Sequence, residues 1–168
     1  MLDLSLHQGT SLHCHTPEIE LRLTAAVSQG TDGRALETLW QVCSHLQRLG
    51  YPVIVLDGTA EESHEAPGLQ HLLVDAPRGD GSFAMDGAHA ASLAVLPAFQ
   101  GLYSLAFNSP HVSQPLQALQ PLFRQYALIV VYASVATLST PLLKGTATAP
   151  LLQMQPGKHG IVRSYKQQ

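Results

Sequence analysis

Charge is scarce in this chain: only 12% of its 168 residues are Asp, Glu, Lys or Arg, and the net charge is -3. No basic excess is available to neutralise a phosphate backbone, so nucleic acid is not expected as a partner. Cysteine is nearly absent too. Cys14 and Cys43 are too few and too far apart for a disulfide framework, and Cys43, inside a helical pattern, reads as a small buried hydrophobe. No apolar run approaches the roughly 20 residues that span a bilayer, and Met1-Leu2-Asp3 has neither the basic start nor the apolar core of a signal peptide. A cytoplasmic protein is therefore expected. What the chain has instead is apolar bulk: 45% hydrophobic residues, enough at this length for one domain with its own core.

Metal-binding residue types gather only near the start, as His7, His13, Cys14 and His15. His13 and His15 would share a face of an extended chain, but no second pair at zinc-finger spacing follows, so no metal is expected. Residues 1–17, closing at Pro17, read as an irregular leader, and 18–168 as a single domain. The remaining histidines are scattered, and no serine or cysteine nucleophile motif accompanies them.

From residue 18 the pattern alternates between two periods. Residues 18–27 read as a strand. Over 32–49, Leu36, Leu39, Trp40, Cys43, Leu46 and Leu49 recur at spacings of three and four, which predicts a helix with one apolar face, and Gly50 suits its end. A β-branched run follows at 53–56, closed by Asp57-Gly58-Thr59. Residues 69–74 fit a short helix or a strand. A third strand is predicted at 92–97, then a loop through 108–110, a helix over 113–126 with Leu116, Leu119, Leu122 and Phe123 on one face, and a fully apolar strand at 127–133. Helical structure at 137–143 and a last strand at 149–155 complete the series, and Pro156-Gly157-Lys158 turns the chain outward. Alternating strands and helices argue for an α/β fold: a doubly wound, mainly parallel sheet with helices on both faces.

The junction between the first strand and its helix reads Ser28-Gln29-Gly30-Thr31-Asp32-Gly33-Arg34-Ala35. Against the phosphate-loop pattern GxxxxGK[ST], Ser28 stands for the first Gly, Gly33 matches the second, Arg34 replaces Lys, and Ala35 replaces the hydroxyl residue. Ala35 has no oxygen to complete a magnesium shell, and the planar fork of Arg34 is not equivalent to an ammonium in a tight cradle. Gly30, Gly33 and the helix start still direct N–H groups outward, which leaves anion or nucleotide binding open. The simpler reading is a glycine turn capped by Thr31 or Asp32. Asp57, closing the 53–56 run, suits the role of a strand-end turn residue. Arg78-Gly79-Asp80-Gly81 reads as a solvated turn.

Taken in order, these segments resemble the deviant P-loop ATPases of the MinD and ParA type, particularly the ATPase domains of exopolysaccharide tyrosine kinases and cellulose-synthesis proteins. The resemblance covers about 18–163 and rests on the loop at 28–35, Asp57 in VIVLDGT, Pro67-Gly68-Leu69, a strand ending at Leu96-Pro97, and the strand YALIVVYAS at 126–134. That last strand is similar to a Walker B segment whose two aspartates are here Ala127 and Tyr132. The resemblance implies a three-layer P-loop fold whose relic nucleotide site is Ser28, Gly30, Thr31, Asp32, Gly33, Arg34, Ala35 and Asp57, without catalytic residues. It implies no required cofactor, with ATP or ADP the ligands such a relic would retain. It also implies a bacterial protein-interaction or regulatory subunit of an exopolysaccharide, cellulose or related envelope system, held near the inner membrane by a synthase or export complex, and homodimers are known in the family. Two alternatives stand beside it: a switch ATPase with a nonstandard loop, and a receiver-like or flavodoxin-like module, which a first strand at 19–27 lying between the strands at 92–97 and 149–155 rather than centrally beside the 127–133 strand would favour.

Overall fold

The computed structural model describes residues 22–28, 33–75, 93–107, 114–146 and 148–152. The leader with its His and Cys residues, the turn at 78–81 and the turn at 156–158 lie outside the described residues. Four parallel strands, β1 (Arg22–Ser28), β2 (Val53–Asp57), β3 (Ala94–Pro97) and β4 (Leu128–Ser134), form one sheet in the order β1-β4-β2-β3. The α/β class with a parallel sheet is thus as expected. In register, Ser28 lies beside Ser134, and Asp57 beside both Tyr132 and Pro97. The first strand therefore pairs directly with the apolar strand at 128–134, unlike the 2-1-3-4-5 order of flavodoxin-like sheets, in which β1 sits between β2 and β3.

Strand alternation divides the core into two clusters. Val53, Val55, Val130 and Tyr132 pack with Ala26 and with Cys43 of helix α1 (Gly33–Arg48), supported by Leu36, Leu39, Trp40 and Leu46. The intervening residues Ile54, Leu56, Ile129 and Val131 pack in the other cluster with Leu69 and Leu72 of helix α2 (Leu69–Asp75) and Leu102 and Leu105 of helix α3 (Phe99–Phe107). A period of two along the strands is what sends neighbours to opposite clusters. Each fully buried Leu or Ile contributes about 1.5–3 kcal/mol of transfer free energy, so these two clusters dominate the stability of the fold.

The end of α1 shows how local sequence fixes a boundary. The Gly50 N–H donates to Gln47 O at 3.0 Å and the Tyr51 N–H to Leu46 O at 3.1 Å, the paired bonds of a Schellman motif. Gly50 has φ +90°, a conformation that glycine adopts without a Cβ penalty.

Three expectations are corrected. The stretch expected as a loop after β3 is the helix α3: Leu102, Leu105 and Ala106 supply a buried stripe, and Gly101 is where α3 meets α2. A Cβ on Gly101 would lie 2.7 Å from Leu69 Cβ. The helix expected over 113–126 is a 3-10 helix, Pro115–Leu119, followed by turns. Gln114, Gln117 and Gln120 alternate there with Leu116, Leu119 and Leu122 at a strict spacing of three, which matches the 3.0 residues per turn of a 3-10 helix rather than 3.6. The last strand is reduced to one parallel bridge between Leu151 and Ala26, with 153–155 outside the described residues. The helical expectation over 137–143 is met by two short pieces, helix α4 (Val135–Leu138) and a 3-10 turn, Pro141–Leu143. The open segment at 69–74 is α2.

Candidate functional site

In an open parallel sheet, ligands bind outside the carboxyl ends of the strands, where successive connections leave toward opposite faces. Here that point lies between β1 and β4. The chain leaving β1 enters α1, which packs in the cluster of Val53, Val55 and Tyr132. The chain leaving β4 enters α4 and the following turn, whose Leu138 and Leu142 belong to the opposite cluster. Ser28 and Ser134 end the two strands side by side, and the chain re-enters the described structure at Gly33, the first residue of α1.

The expected site residues divide accordingly. Gly30, Thr31 and Asp32 lie outside the described residues, and of Gly33, Arg34 and Ala35 only the backbone, as the first turn of α1, is described. Ser28 is buried at the end of β1. Asp57 is brought to the same edge, one strand beyond β4. Its Oδ1 accepts the Thr59 N–H at 2.9 Å and the Thr59 hydroxyl at 2.6 Å, an Asx turn that holds the chain as it leaves β2. The turn role left open from sequence is thus physically present. Behind it, Gly58 donates its N–H to Tyr132 O at 2.7 Å, and a Cβ there would lie 2.8 Å from Leu102 and 2.9 Å from Ala133.

On β4 itself no carboxylate faces this edge. Tyr132 is 4% exposed and packs in the α1 cluster. The β4 residue at the crevice is Ser134, which sequence reading missed although the spacing Ser-Val-Ala-Thr carried the signal: its Oγ accepts the Thr137 N–H at 3.2 Å and lies 3.0 Å from the Thr137 hydroxyl, capping α4. Among the described residues, no group of three or more His, Cys, Asp or Glu side chains is placed to hold a metal ion. Burial pushes the Cys43 thiol up from its ordinary value, so it stays a neutral packing group.

A second cavity, about 450 Å³, opens between the start of α2 and α3 and is lined by Glu62, His64, Gly68, His71 and Gln100 among others. Glu62 organises it: Oε2 accepts the Gln70 N–H at 2.7 Å, Oε1 accepts the Gly101 N–H at 2.8 Å, and its own N–H donates to Gln100 Oε1 at 2.7 Å. One carboxylate thereby satisfies donors in the first turns of two helices, where negative charge is favoured. Gly68 permits this closeness, since a Cβ there would run into Pro97 O and Glu62 Cγ. The Pro67-Gly68-Leu69 segment is thus a packing junction in this chain.

No protein-family model, curated protein or solved structure matches the chain. No helix among the described residues is long and apolar enough to cross a membrane.

Proposed function

We propose that this chain is a catalytically inactive, MinD/ParA-like pseudo-ATPase that acts through protein contacts. Its fold is read as the three-layer, doubly wound P-loop arrangement, the two core clusters being the two helix-covered faces. The observation that carries the reading is the composition of the crevice between β1 and β4. The strand that would carry a magnesium-side aspartate places Tyr132 in the core, while Asp57 is engaged by Thr59. A loop with Arg34 and Ala35 in place of Lys and a hydroxyl residue agrees with that loss. The adjacency of β1 and β4 also weighs against the flavodoxin-like alternative.

The biological setting follows the resemblance: a regulatory or assembly subunit of a bacterial exopolysaccharide, cellulose or related envelope system, cytoplasmic and held at the inner membrane by a synthase or export complex. The switch-ATPase alternative draws on one observation, the start of α1 at Gly33 behind the crevice, where helix N–H groups favour an anion.

Calorimetric titration with Mg-ATP and Mg-ADP, with a phosphate-release assay, separates the two. The pseudo-ATPase reading expects no phosphate release and no binding tighter than about 1 mM. Micromolar binding abolished by Arg34→Ala, with turnover, would overturn it and establish the switch.

A further inference from the structure

A cleft of about 520 Å³ lies at the other end of β1, between Arg22, Leu23 and Thr24 and the 3-10 helix Pro115–Leu119. Because all four strands run parallel, this cleft is on the amino-end edge of the sheet, about 20 Å along β1 from Ser28. It shares no residue with the crevice described above. Its wall on the third side is tied to β1 by the Thr148 hydroxyl, which donates to Leu23 O at 3.0 Å.

Two features define its chemistry. First, Gln114, Gln117 and Gln120 all line it. Side chains three apart nearly eclipse in a 3-10 helix, and a rise of about 2.0 Å per residue sets Gln117 and the C-cap Gln120 about 6 Å apart, with the N-cap Gln114 flanking them just outside the helix. The ladder has a rigid backing, since Leu116 and Leu119 between the glutamines are 1% and 0% exposed in the core. Second, Arg22 is the only charged residue among the described residues that line the cleft, and it lies exposed at its rim. A chain with a net charge of -3 thus presents an exposed cation at this rim.

We propose that this cleft binds an extended, acidic peptide segment of a partner protein. A carboxamide carries a donor and an acceptor in one plane, so it pairs with the N–H and C=O of one residue of an extended chain, which point to the same side. An extended chain repeats such a unit on the same side every two residues, about 6.6–6.8 Å, close to the spacing of the glutamine ladder. Gln117 and Gln120 therefore match two alternate residues of such a segment, and Gln114 lines the cleft at its end. Backbone pairing of this kind gives affinity with little sequence demand, and Arg22 supplies the preference for a carboxylate side chain. The proposal does not rest on the pseudo-ATPase reading and survives its failure.

The test is a titration of the full ¹⁵N-labelled chain with acetyl-(Thr-Glu)₄-amide, acetyl-(Thr-Lys)₄-amide and maltohexaose, followed by NMR. The acidic peptide is expected to shift the side-chain amide resonances of Gln114, Gln117 and Gln120, and to bind about tenfold more tightly than the basic one, the equivalent of one charge-assisted contact. Arg22→Glu should reverse that preference, and Gln117→Leu should weaken binding of the acidic peptide with an unchanged melting temperature. Absence of shifts at the three glutamines, equal binding of both peptides, no effect of Arg22→Glu, or a response to maltohexaose in place of the peptides would each overturn the proposal.

Discussion

Removing the carboxylate of Glu62 should loosen two helices at once, because Gln70 and Gly101 each lose the acceptor for a first-turn N–H. Hydrogen bonds to a charged group contribute about 1.5–3 kcal/mol, and the partly exposed position argues for the lower end of that range. Glu62→Ala is expected to cost about 2 kcal/mol, a fall of roughly 4–8 °C in melting temperature for a chain of this size. Glu62→Gln keeps one carbonyl oxygen and should recover about half the loss. Thermal melts of the three proteins check this, and equal melting temperatures for all three would show that water replaces the carboxylate. This junction was hard to read in sequence. Glu62 lies among Glu61, Ser63 and Glu65, and nothing local distinguishes the carboxylate that reaches residues 8 and 39 positions away. Asp57 was easier to read, since Asp-Gly-Thr after an apolar run is a turn signal whose partner is only two residues on.

At the scale of elements, Ser134 is expected to matter as a cap rather than as a reactive group. Ser134→Ala removes the acceptor of the Thr137 N–H and should destabilise the fold by about 1 kcal/mol, while Ser134→Asn, another good cap, should restore most of it. Urea unfolding of the three proteins measures the difference; a Ser134→Asn variant as unstable as Ser134→Ala would exclude capping as the cause. The elements legible in sequence were those whose period was unambiguous. In α1, spacings of three and four put Leu36, Leu39, Trp40, Cys43 and Leu46 on one face, and β2 and β4 are apolar up to the Asp57 and Ser134 that end them. The two helices misjudged carried mixed signals. In α3 the glycine at 101 is demanded by contact with Leu69, a tertiary cause invisible to local pattern. Over 114–122 the leucines suited an α-helical face nearly as well as a 3-10 one, and only the matching period of the glutamines, together with Pro115, separates the two. The crevice followed from element order alone; the side-chain geometry within it did not.

At the scale of the whole molecule, the cluster beneath α1 couples global stability to pH through Cys43. The thiol is buried against the sheet, and burial raises its ionisation above the ordinary value of about 8.5. Below that value both folded and unfolded chains hold the proton, and the contribution of the neutral buried thiol is fully present. As pH climbs past it, the unfolded chain releases the proton while the folded chain retains it, so the unfolded state binds fewer protons and stability falls until the folded value is passed. One such group gives a slope of at most about 1.4 kcal/mol per pH unit. Cys43→Ala removes this group while Cys14, Tyr and Lys residues titrate as before, so the difference in slope between the two proteins isolates it. Unfolding free energies measured from pH 7 to 10 should therefore decline more steeply for the natural chain than for Cys43→Ala, although the variant starts lower because it leaves a small cavity. Parallel curves would mean that α1 opens locally and lets the thiolate reach water without global unfolding, which would place the weak point of the fold at the helix that follows the β1 crevice.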